Sequence, residues 1–85
     1  MANPVLVDCL EGEWTLVAEN QTAGMIHVIK TDAKYLQTYR DTGGDAPTTI
    51  NEGVPFKESL TIAASAGIDV YVWCQNADGN VRVDL

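Results

Sequence analysis

The chain has 85 residues, twelve acidic and five basic, with a net charge of −7. A chain of that length makes one domain near the lower limit of what a single hydrophobic core can hold. Its charge repels phosphate backbones and anionic lipid, which argues against nucleic acid and membrane as partners, and no apolar run approaches the ~20 residues of a membrane helix.

The first residues, MANPVLVDCLEGEW, lack a basic segment followed by a long apolar stretch. No secretory signal is therefore expected, and the protein is expected to be made in a cytoplasm. "VLVDCL" (5–10) is the first strand candidate, followed by a Glu-Gly-Glu turn. "EWTLVAEN" (13–20) follows, with Trp14, Leu16 and Ala18 alternating with Thr15 and Val17. "QTAG" (21–24) reads as a turn. "MIHVIK" (25–30) is apolar on both faces and is expected to be a central or doubly covered strand.

In "KYLQTYR" (34–40), Tyr35, Gln37 and Tyr39 share one face, and Leu36 and Thr38 the other. A thin helical stripe over Tyr35, Leu36 and Tyr39 is the weaker alternative. Residues 41–57, "DTGGDAPTTINEGVPFK", hold two prolines and three glycines and read as a long loop. A loop of that length in so small a domain is usually functional or an interaction arm. Its apolar members, Pro47, Ile50, Val54, Pro55 and Phe56, are the candidate contact residues.

"SLTIAASAG" (59–67) repeats apolar residues with period two. In "GIDVYVWCQNADGNVRVDL", Ile68, Val70, Val72 and Cys74 alternate with Asp69, Tyr71, Trp73 and Gln75. The Asn76–Asn80 segment predicts a hairpin turn in which Gly79 takes positive φ. The pattern predicts a single all-β domain over 1–85, a compact antiparallel β-sandwich or small barrel of about six to seven short strands.

No constellation for catalysis emerges, and the chain is not expected to be an enzyme. His27, the only histidine, has no nucleophile and orienting carboxylate at a recognisable spacing. Glu11 and Glu13 flank a turn glycine, as solvated carboxylates commonly do. "DTGGD" (41–45) has too few alternating oxygen ligands for calcium, and it lacks the lysine and following helix of a phosphate loop. Cys9 and Cys74 with one histidine do not make a zinc site. Cys74 is in phase with the core positions and reads as a buried thiol. A Cys9–Cys74 bridge is conceivable, but not expected to persist in a reducing compartment. No cofactor or metal is therefore expected.

With Ile68, Val70, Val72 and Cys74 facing the core, Tyr71 and Trp73 project from the second face. A face this apolar on so small a domain favours a protein–protein interface, with Tyr71, Trp73 and Tyr39 as candidates. The alternative is a small carbohydrate-binding β-sandwich with Trp73, Tyr71 and Tyr39 as stacking platforms.

The segments "KYLQTYRDTGGDAPT…NEGVPF" and "GIDVYVWCQNADGNVRVDL", preceded by a strand carrying Trp14, resemble small virion proteins of tailed bacteriophages. The elements that carry the likeness are Tyr35 to Gly43, Ala46–Pro47, Glu52 to Pro55, and Ile68 to Val72. The resemblance implies a non-enzymatic virion structural protein, foremost a capsid decoration or cement protein. It would be a homo-oligomer that binds the major capsid protein or other virion proteins, with the 41–57 loop reaching a neighbouring subunit. A tail- or fibre-associated virion protein is the variant reading.

Overall fold

In a computed structural model, which describes residues 4–85, the expected all-β domain is found as six antiparallel strands in one curled sheet, a half-barrel. The strands are β1 (Val5–Cys9), β2 (Trp14–Val28), β3 (Lys34–Asp41), β4 (Val54–Phe56), β5 (Ser59–Gln75) and β6 (Gly79–Asp84). A 3₁₀ turn, Ile50–Glu52, precedes β4. The order across the sheet is β1-β6-β2-β5-β3-β4.

Two long strands make the curl. Residues 21–24 do not reverse the chain as their turn composition suggests; they lie inside β2. The two segments read separately at 59–67 and 68–75 are likewise one strand, β5. Register slips bend them instead. Leu16 faces Tyr71, Ala18 faces Val70 and Gln21 faces Ile68, so β2 gains a residue on β5 at each step. The next partners are Ala23 and Ala63, which leaves residues 64–67 of β5 looped out. Bulges of this kind coil a sheet without ending it. Asn20 supplies the left-handed conformation at the bend, with φ of 54°.

As a result, β2 changes neighbours along its length. Its first half pairs only with the second half of β5, whereas Met25–Val28 lie between β6 and the start of β5. The second half is central, as its apolar pattern predicts, but it is covered on one side only. Ile26 is fully buried, whereas Met25 and Ile29 are exposed.

The last nineteen residues do not form a hairpin. Beyond Gln75 the chain turns a corner, and β6 pairs with β1 and β2 rather than β5. Gly79 does not take positive φ either; Asn76 does, at 74°. Gly79 serves by its lack of a side chain. A Cβ there would lie 2.6 Å from both the Cys74 Sγ and the Tyr35 ring. That crowded point is the bottom of the core, where Cys9, Cys74 and Tyr35 meet beneath Val72 and Val81.

Candidate interaction surface

The register sorts the sequence-derived candidates by face. Leu36, Trp73 and Trp14 face one another across β3, β5 and β2, and Thr38, Tyr71 and Leu16 form the next row. These rows lie on the outer face. Tyr35, Gln37 and Tyr39 face Cys74, Val72 and Val70 and so lie on the inner, concave face. Tyr39 therefore does not share a surface with Tyr71 and Trp73, and the three rings form no common stacking platform. Trp14 and Trp73 meet edge to face, with centroids 5.4 Å apart and planes at 67°. They are not coplanar.

Part of the outer face is covered by the chain itself. The 41–57 segment, expected to be irregular and to reach outward, folds back over the row of Leu36 and Trp14, while Leu16 in the next row stays exposed. The Trp14 Nε1–H donates to the Thr49 carbonyl at 3.1 Å. Gly53 lies so close that a Cβ would come within 2.8 Å of Leu36 Cβ and 3.0 Å of the Trp14 ring. Arg40 pairs with Glu52, whose other carboxylate oxygen accepts from the Thr48 and Thr49 N–H groups. The segment also contains structure that its composition hides. The 3₁₀ turn and β4 close it, and Pro55 sits on an edge strand, where a missing N–H leaves no partner unpaired.

Asp69 fixes where the cover begins. Although buried, its carboxylate accepts hydrogen bonds from Asn20 N–H at 2.9 Å, Thr42 Oγ1–H at 3.0 Å and Gly43 N–H at 3.4 Å. These contacts, the Asn20 bond first, hold its pKa below the ordinary carboxylate value against the opposing effect of burial. One side chain thus ties the β2 bend to the start of the loop.

The interface candidates consequently divide. Pro47 is buried within the chain, and Ile50, Tyr71 and Trp73 are half-buried on the outer face. Phe56 is half-buried on the inner face, its ring 5.8 Å from that of Tyr35. Tyr39, Val54 and Pro55 are exposed, with Tyr39 at 61% and Val54 at 56%.

On the inner side a cleft of about 470 Å³ is open between β3 and the first half of β5. Gln37, Tyr39 and Asp41 form one wall and residues 60–66 the other, with Ile68 and Val70 at its base. Sequence periodicity assigned Leu60, Ile62 and Ala64 to one face but gave no sign that this strand would be left without a second neighbour.

Polar chemistry is sparse. His27 Nε2 lies 3.1 Å from an Asp84 oxygen that also accepts from Arg82, a local surface cluster. Cys9 and Cys74 are free and fully buried, and the Cys9 thiol donates to the Val7 carbonyl at 4.0 Å. Burial first, then the neighbouring Cys74, pushes the Cys9 thiol up to about 12, and burial raises Cys74 as well. Such thiols are poor nucleophiles at neutral pH. Among the described residues, no three His, Cys, Asp or Glu side chains are grouped to hold a metal.

No known protein family, curated protein or solved structure matches the chain.

Proposed function

We propose that this chain is a non-enzymatic structural protein of a tailed-bacteriophage particle, a decoration or cement protein that binds the major capsid protein. The reading begins from the likeness of residues 35–55 and 68–85 to small virion proteins. The observation that supports it is the incomplete closure of the half-barrel. Tyr39 stands 61% exposed at the mouth of an open cleft lined by apolar and polar side chains alike. An exposed aromatic beside an open groove of mixed character suits a protein contact. The rings on the outer face are packed edge to face under the loop, which favours this reading over a sugar-stacking module.

The test is co-sedimentation of the purified chain with shells of the major capsid protein from the phage that encodes it. Saturable binding is expected, with Tyr39→Ala weakening it at least several-fold. Absence of binding to shells, with binding instead to isolated tails or fibres, would move the protein elsewhere on the particle. Binding to neither would sink the virion reading.

A further inference from the structure

The first half of β5 has a strand partner on one side only. Residues 59–63 pair with β2, whereas β3 pairs with β5 only from Ile68 onward. Among the described residues, no strand occupies the other edge. Alternate N–H and C=O groups of this segment therefore face the cleft and solvent. Ser59, Thr61, Ala63, Ser65 and Ala66 are exposed. Open edges are normally blunted by charge, proline or brevity. From Ser59 to Ile68 this one has no acidic, basic or histidine side chain and no proline, and its regular stretch, 59–63, ends at the bulge over 64–67.

We propose that this edge pairs with the same edge of a second copy, antiparallel about a two-fold axis. Charge selects that occupant. Each copy carries a net charge of −7, so contact through most of the surface sets like charges against each other. The segment from 59 to 68 lets two identical surfaces meet without opposing any. A two-fold axis requires a self-complementary patch, and an uncharged antiparallel strand meets that requirement. Centred on Ile62, the pairing places Thr61 opposite Ala63 of the other copy and ends where residues 64–67 loop out. Residues that face inward then remain inward across the junction. The two clefts join over a continuous sheet, and the unpaired main-chain groups are satisfied. Lys57 and Glu58 lie beyond that stretch, on the side of the uncharged 64–67 bulge of the other copy, so the flanks add no repulsion.

The inference deepens the structural-protein reading by naming how copies associate. Solution mass decides it, whereas particle binding decides that reading. Light scattering on the purified chain is expected to give twice the 9.2 kDa of one copy. Two double variants test the register at exposed positions: Thr61→Lys with Ala63→Lys, and Thr61→Glu with Ala63→Glu. Each alone sets like charges directly opposite and is expected to be a folded monomer by circular dichroism and mass. Mixed in equal amounts, they set Lys against Glu and are expected to regain the doubled mass. A wild-type mass of one copy at all concentrations overturns the proposal, as does a trimer or larger ring. So does a Lys variant that stays dimeric, or a mixture that stays monomeric while both variants are folded.

Discussion

The two sides of the β3–β5 ribbon are both apolar, yet they have opposite fates. The outer side, carrying Leu36, Trp73 and Trp14, is covered by the chain's own 42–53 segment, held by the Trp14–Thr49 hydrogen bond and the Arg40–Glu52 pair. The inner side is dry at one end, where Val72, Cys74 and Tyr35 are buried, and open at the other, where Tyr39 faces the cleft. Exposure of an apolar side chain here follows from which strands bend away and which loop folds back. Composition alone does not separate the two faces.

The comparison can be broken most severely at the dry end. Tyr35→Ala removes a buried ring and leaves the Asn80 N–H without its hydroxyl acceptor at 3.1 Å. A loss of about 3–5 kcal/mol is expected, enough to unfold much of the population, read by urea titration. Trp73→Ala comes next. Because Trp73 packs against Trp14 beneath the loop, it is expected to lower the stability of the monomer by roughly 2 kcal/mol. A change confined to association would instead return Trp73 to the interface. Gly53→Val drives a side chain into Leu36 and Trp14 and should cost about 1–3 kcal/mol. Protease cleavage between residues 42 and 49 is expected to rise well before global unfolding; equal rates would mean that the cover and the barrel open together.

Two titrations sharpen the contrast further. The Asp69 pKa is depressed in the folded state, so its contribution is present above the unfolded carboxylate value and lost as pH falls through the folded one. Acid should therefore loosen the cover, and Asp69→Asn should flatten the acid limb of thermal stability while lowering it at neutral pH. Cys9 behaves in the opposite sense. Its contribution is intact below the ordinary thiol value of 9.0 and declines as pH rises toward about 12. Cys9→Ala should flatten that alkaline limb, read by melting temperature against pH. The smallest effect on stability is expected at the cleft. Tyr39→Ala should change unfolding free energy by less than about 0.5 kcal/mol while weakening shell binding.

Much of the ladder was legible because alternation reports faces directly: Val70, Val72 and Cys74 are all buried, as their period-two pattern requires. Partners were not legible. Turn residues at 76–80 signal a change of direction, but whether the next strand returns beside the last or passes to another depends on contacts with β1 and β2, many residues away. Residues 21–24 have turn composition and bend without reversing, since β5 supplies compensating bulges that the local sequence does not encode. The loop's return over Trp14 and Trp73 was hidden for the same reason. It depends on Asp69 meeting Asn20 and Thr42 and on Arg40 meeting Glu52, pairings visible only once the strands are in register.

The strand order has one more consequence, for the route by which the fold is reached. Only β3 and β4 are neighbours both along the chain and across the sheet. Every other ladder joins segments that are distant in sequence, and β1 has no partner until β6 exists. A chain emerging residue by residue therefore reaches position 84 before its first strand can dock. Loop-closure entropy must be overcome before most native pairings form, so refolding is expected on the millisecond-to-second scale of high-contact-order β proteins. During that interval the uncharged 59–68 edge is exposed without the rest of the barrel around it. Crowded nascent copies should then be more prone to aggregate than finished ones.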